Sequence, residues 1–139
     1  MLRTVIAIAS LTWAGCAQAA TLAVKLDASA TAEQAAIVAN ALPDSYQGAA
    51  YTVGTADLNG DGKPDLIVHF TGDDWCSPTG KGCQGTAILS TPKGYADHDT
   101  PLAMFGSIVN VLPSMHNGLH DLRFDDAQYI FKFDGLQYN

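Results

Sequence analysis

The chain has 139 residues, with seven basic and 14 acidic side chains and a net charge of −7 with histidine neutral. Such an acidic chain is repelled by phosphate backbones and anionic lipid, which makes nucleic acid and bare membrane poor partners and favours cations and basic proteins. Beyond the first 20 residues no apolar run reaches the roughly 18 that span a bilayer, so membrane insertion is not expected.

Residues 1–19 read as a secretory signal peptide. Arg3 supplies a short positive region, an apolar run extends from Thr4 to Ala14, and Ala17-Gln18-Ala19 places small residues where an export peptidase reads. Cleavage after Ala19 leaves residues 20–139 as a single domain in the periplasm or secreted, and loss of Arg3 takes the net charge to −8. The alternative is a lipid attached at Cys16, against which Trp13 stands where bacterial lipoprotein signals usually carry an aliphatic residue.

Leu22 to Leu26 alternates apolar and polar residues, as a brief strand does. Thr31 and Gln34 form a capping box for a helix over Ala32 to Leu42, with Ala35, Ile37, Val38 and Leu42 as its apolar stripe and Pro43 at its end. From residue 49 onward the pattern is strand-like. In DLIVHF, Leu66, Val68 and Phe70 share one face, Ile67 and His69 the other, and His69 reads as a partly exposed sheet residue. GTAILS, MFGSIVNVL, HDLRF and AQYIFKF follow, and Asp134-Gly135 suits a closing hairpin turn. These elements predict an α+β domain: one N-terminal helix packed on a mostly antiparallel sheet of about five to seven strands, with one disulfide. The disulfide is expected between Cys76 and Cys83, an even pair bracketing a short loop in an oxidising compartment, worth about 2–3 kcal/mol by chain entropy.

Asp57 to Val68, DLNGDGKPDLIV, sets oxygen-bearing residues at alternate positions around two glycines. Asp57, Asn59, Asp61, the Lys63 backbone carbonyl and Asp65 could wrap Ca²⁺, a hard cation that takes six to eight oxygens. Val68 stands where an EF-hand carries its bidentate Glu, and the flanks are strand-like, so this is no EF-hand. The same residues also suit a metal-free turn in which Asp and Asn satisfy local N–H groups. The segment resembles the calcium loop of FG-GAP and VCBS repeats, D-x-(D/N)-x-D-G-x-x-D followed by Leu and a strand. That resemblance implies Ca²⁺ ligation by the five residues just named. Such loops normally recur in propeller arrays, and here there is one copy. The wider order of turns, from Asp57 through Cys76…Cys83 to Phe133-Asp134-Gly135-Leu136-Gln137-Tyr138, looks like a class of small exported bacterial proteins of largely unassigned function.

His116 and His120 are four apart in HNGLH, but Asn117-Gly118 favours a loop over the helix that would pair them for Zn²⁺. No G-x-S-x-G elbow or phosphate loop is present and both later cysteines are expected to be oxidised, so an enzyme is not expected. Trp75, Met115 and His116 sit among turn residues and could contact a partner protein, and Trp75 could equally fold under its loop as a small satellite core. The expected function is an exported protein-binding module: an inhibitor or immunity protein against a basic cell-wall hydrolase, with calcium as a structural ion. A stand-alone calcium-binding envelope protein is the alternative.

Overall fold

A computed structural model describes residues 20–139. The expected signal peptide, its cleavage point and the alternative lipid site at Cys16 lie outside the described residues. Among the described residues no helix is long and apolar enough to cross a membrane.

In chain order the elements are β1 (Leu22–Lys25), α1 (Ala32–Ala41), β2 (Tyr51–Ala56), β3 (Asp65–Phe70), β4 (Cys83–Ile88), β5 (Ser90–Thr91), β6 (Gly94–Tyr95), β7 (Thr100–Phe105), β8 (Ile108–His116) and β9 (Leu119–Phe124). The strands form three antiparallel sheets, ordered β2-β3-β4-β7, β1-β8-β9 and β5-β6. The α+β expectation is therefore corrected. The described residues are mostly β, with nine strands in three sheets in place of one sheet of five to seven under a helical layer. The physical reason lies in the helix. Its ten residues are rich in Ala, and only Val38 and Ala41 within it are buried. That is too little apolar surface to form a layer of its own.

Thr31 caps α1 as its sequence predicts, accepting from Gln34 N while the Gln34 side chain accepts from Thr31 N at 2.9 Å. β3 is the central element, and all six of its residues are buried. Ile67 joins a cluster with Ala56, Leu58, Ala87 and Phe105 of its own side of the fold and Val24, Leu26, Val109, Val111, Leu122 and Phe124 of the β1-β8-β9 side. Leu66, Val68 and Phe70 point the other way, into a second cluster with Val38, Ala41, Leu42, Val53 and Ile88. A strand covered on both faces leaves no exposed side for His69, which corrects the expectation of partial exposure. His69 is 6% exposed, its Nε2 lies 3.0 Å from the Phe105 carbonyl oxygen, and its ring tilts against that of Phe105.

Two further strand expectations change. MFGSIVNVL is broken at Gly106-Ser107, where the chain leaves the β2-β3-β4-β7 sheet and enters β8. Gly106 N donates to Asp125 Oδ2 at 2.6 Å, and a β-carbon at Gly106 would fall 2.5 Å from Asp125 Oδ1, so a larger residue at the crossing would have to displace the Asp125 carboxylate. AQYIFKF forms no regular strand. It meets β9 at the single bridge Leu122↔Phe131, and Tyr129 is 62% exposed. Asp125, with φ of +50°, turns the chain away from β9 before that segment can pair along it.

Candidate functional site

The acidic loop joins β2 to β3, whose register pairs Ala56 with Asp65 across its base. Gly60 and Gly62 both have positive φ, 73° and 81°, which the tight path between the acidic residues requires. Asp57 Oδ1 accepts from Gly60 N at 2.7 Å and Asp61 N at 3.2 Å, and its Oδ2 accepts from Gly62 N at 2.8 Å. Asn59 Oδ1 accepts from Asp61 N at 3.1 Å, and Asp61 Oδ1 accepts from Lys63 N at 2.8 Å. That last bond is the main cause holding the Asp61 carboxyl below the usual carboxylate range; burial opposes it, and Ser90, Asn59 and the charge of Lys63 each add a smaller lowering.

Asp65 is fully buried at the start of β3. Its Oδ2 accepts from Leu58 N at 2.5 Å and Asn59 N at 3.2 Å. Its Oδ1 accepts from Ser90 N at 2.6 Å and Ser90 Oγ at 2.8 Å. Four donors make this buried charge tenable without a cationic side chain. Ser90 also reaches Asp61, with Oγ 2.8 Å from Asp61 Oδ2, and its carbonyl accepts from Asn59 Nδ2 at 3.1 Å. Tyr95 Oη donates to the Pro64 carbonyl at 3.1 Å. The β5-β6 hairpin thus holds the loop from one side.

The β8-β9 hairpin holds it from another. His120 N donates to the Leu58 carbonyl at 2.8 Å, and a β-carbon at Gly60 would lie 3.4 Å from Met115 Cε. Met115 is 43% exposed. The hairpin turns at Asn117-Gly118, with φ of 48° and 86°, which fits the two-residue turn that matches strand twist. Its register pairs Met115 with His120 and His116 with Leu119, so the two histidines alternate across the ribbon. His116 Nδ1 lies 2.7 Å from Asp121 Oδ1, and His120 Nδ1 lies 2.7 Å from the Leu112 carbonyl oxygen. The joint zinc reading of His116 and His120 loses its geometric basis.

Asp57, Asn59, Asp61, Lys63 and Asp65 are brought into one loop, and Met115 is set beside it. Trp75 is not. It stacks on Tyr46 at 4.8 Å between ring centroids and tilts against Phe70 at 5.3 Å. Phe70 and Asp65 occupy opposite ends of β3, about 17 Å apart for a six-residue strand. Cys76 and Cys83 form a disulfide in a bridge between antiparallel segments. Ser77 N donates to the Gly82 carbonyl at 2.8 Å inside that closed loop. The residue that sequence reasoning missed is Ser90. It lies 25 positions from Asp65, beyond the reach of any local motif, and only the pairing of β3 with β4 delivers it.

The donor set of the loop is all oxygen, which suits Ca²⁺ better than a softer metal. Among the described residues no three His, Cys, Asp or Glu side chains are gathered tightly enough to hold a metal by themselves. A cation here would also draw on Asn59 Oδ1 and the Lys63 carbonyl, the two uncharged oxygens that the spacing of the loop supplies. No curated protein and no solved structure matches the chain. The family model of the FG-GAP repeat matches residues 49–82, from the approach to β2 through the acidic loop and β3 to the disulfide loop. That match is consistent with a single FG-GAP-like repeat, and the FG-GAP family is one of binding and repeat modules rather than a catalytic one.

Proposed function

We propose that the protein is an exported binding module whose contact surface is formed by the acidic loop and the tip of the β8-β9 hairpin. The observation that carries this reading is the seating of exposed Met115 against Gly60, which sets an adaptable apolar side chain on the acidic loop. FG-GAP domains mediate protein–protein interactions, which supports a protein partner. The charge of the surface favours a basic one. The finer form of the proposal is an inhibitor or immunity protein that covers a basic cell-wall hydrolase in the periplasm or outside the cell.

In the same reading the loop takes Ca²⁺ through Asp57, Asn59, Asp61, the Lys63 carbonyl and Asp65. The ion's chemistry is to neutralise three carboxylates that face no basic side chain within salt-bridge distance among the described residues. The chain's own residues then fix the surface: Ser90 and His120 anchor the loop, and Met115 supplies contact.

The test offers the protein to a lysozyme-type hydrolase at low salt, with millimolar Ca²⁺ or with EDTA, and measures cell-wall lysis. Inhibition that Met115→Asp weakens by about tenfold or more is expected, since a charge would replace the apolar anchor. Undiminished lysis at excess protein contradicts the inhibitor. The second reading is a stand-alone calcium-binding envelope protein. It is favoured by His116 being tied to Asp121 and Trp75 being stacked on Tyr46, which leaves Met115 as the remaining free contact of the three. Stabilisation by Ca²⁺ with no inhibition would support that reading.

A further inference from the structure

We propose that the outer face of the β1-β8-β9 sheet carries a site for a small zwitterion of the α-amino acid class, with Arg123 taking its carboxylate and Asp126 its ammonium. The site depends neither on the acidic loop nor on the contact surface proposed above. Val109, Val111, Leu122 and Phe124 point into the core, so by alternation Asn110 and Arg123, which pair across β8 and β9, point outward. Ala23 flanks Asn110 on its other side with only a methyl group. The turn that follows β9 completes a cleft of about 280 Å³, lined by Asn110, Arg123, Asp125, Asp126, Ala127 and Gln128. That is near the lower end of the range for small-molecule sites, about 300–1,000 Å³.

Arg123 is the only arginine among the described residues, and it is half-buried. Its guanidinium makes no hydrogen bond and no ion pair with any of them. Carboxylates are close in sequence, but two are engaged elsewhere. Asp121 is buried, accepts from Ser114 Oγ at 2.6 Å and lies 2.7 Å from His116 Nδ1. Asp125 accepts from the amides of Gly106 at 2.6 Å and Ile108 at 3.4 Å. Asp126 is exposed and, among the described residues, unpaired. Asn110 Nδ2 donates to the carbonyls of Arg123 at 3.1 Å and Asp125 at 3.0 Å, which leaves its Oδ1 as a further acceptor in the cleft wall. Asp125 N donates to the Ile108 carbonyl at 2.9 Å and Ala127 N to the Phe124 carbonyl at 3.0 Å, so the rim is fixed before a ligand arrives.

The cleft therefore presents a guanidinium and a carboxylate that do not neutralise each other. A ligand carrying both charges satisfies both. The planar fork of Arg123 suits a carboxylate through two parallel N–H···O bonds. An ammonium on the adjacent carbon then falls to Asp126. A simple carboxylate meets the charge of Asp126 and a simple amine that of Arg123, so neither gains both contacts.

The experiment follows amide chemical shifts of isotope-labelled protein as alanine, acetate or ethylamine is added into the tens of millimolar at constant pH and ionic strength. Alanine should shift the amides of Arg123, Asp126 and Gln128 saturably, with a Kd on the order of tenfold below that of acetate or ethylamine. Arg123→Gln should raise the alanine Kd on the order of tenfold or more, and Arg123→Lys, which keeps the charge and loses the fork, nearly as much. Asp126→Asn should weaken alanine and leave acetate binding no weaker. Neither side chain is bonded within the fold, so the three variants should melt with wild type. Equal wild-type shifts for alanine, acetate and ethylamine, alanine binding that survives Arg123→Gln, or no saturable shift with alanine would each overturn the proposal.

Discussion

Ser90 gives Asp65 both its backbone N–H and its hydroxyl, at 2.6 and 2.8 Å, across 25 residues of sequence. With the amides of Leu58 and Asn59 this makes Asp65 the acceptor of four bonds in a fully buried position. Asp65→Ala would strip the acceptor from four donors at once. We predict a loss of about 3 kcal/mol or more in urea unfolding, present in EDTA as well as in calcium. A loss below about 1 kcal/mol in EDTA would contradict the structural role given to this carboxylate.

Trp75 should behave as core. Trp75→Ala removes the ring that stacks on Tyr46 and tilts against Phe70. Since the residue is only half-buried, a cost of about 2–3 kcal/mol is expected, toward the low end for aromatic truncations. The inhibition proposed for the Met115 surface should be unchanged at a temperature where the variant is folded, because the two regions lie toward opposite ends of β3. An unchanged melting temperature with lost inhibition would reverse this assignment.

The disulfide closes a short loop next to Trp75. Replacing both Cys76 and Cys83 with Ser should cost about 2–3 kcal/mol by chain entropy. Denaturant midpoints of the double variant, compared with wild type under reducing and non-reducing conditions, check this. Reduction should shift the midpoint of wild type and not of the variant.

Acid should loosen the loop and the chain's last turn. Asp61 is held low chiefly by Lys63 N–H, and Asp134 chiefly by the N–H groups of Gln137 and Leu136. A carboxyl lowered in the folded state contributes stability that is present above its unfolded pKa, about 3.9, and is lost as pH falls through the lower folded value. At the alkaline end, burial first and then the charges of Asp121 and Asp65 push the Tyr138 hydroxyl up. Its contribution is present below pH of about 10 and is lost as pH rises beyond it. Melting temperatures from pH 2 to 11 should therefore fall at both ends. Tyr138→Phe should flatten the alkaline fall, while losing the hydrogen bond to the His120 carbonyl at about 1 kcal/mol. An alkaline fall as steep as that of wild type would contradict the role of this hydroxyl.

Local chemistry was legible in the sequence where it stayed local. Thr31 and Gln34 cap α1, Asn117-Gly118 breaks the chain into a loop rather than a helix, and Leu66, Val68 and Phe70 share a face, because each depends on neighbours a few residues away. The layer arrangement was not legible. Alternation in DLIVHF marks two faces, but that His69 is buried follows only from Phe105, 36 residues on, lying over it. AQYIFKF alternates like a strand, yet pairing needs an open edge in line with it, and Asp125 turns the chain aside. That Asp57, Asn59, Asp61, Lys63 and Asp65 share one tight loop was legible from the spacing of the acidic residues and glycines. Their anchor, Ser90, was not, since a lone serine before Thr91 carries no signal until β4 places it.

The proposal at the centre of this account is that the FG-GAP-like loop takes a cation and fixes a contact surface. A thermal melt in EDTA and then at about 10 mM Ca²⁺ tests it most directly. A site of about 10⁻⁴–10⁻³ M, the range of extracellular calcium modules, would add about 1.4–2.7 kcal/mol at that concentration. This should raise the melting temperature by a few degrees. The shift should vanish in Asp57→Asn/Asp61→Asn and should not be reproduced by Mg²⁺ at equal concentration. A wild-type melt unmoved by calcium would contradict the account and leave the loop as a turn held by its own amides and Ser90.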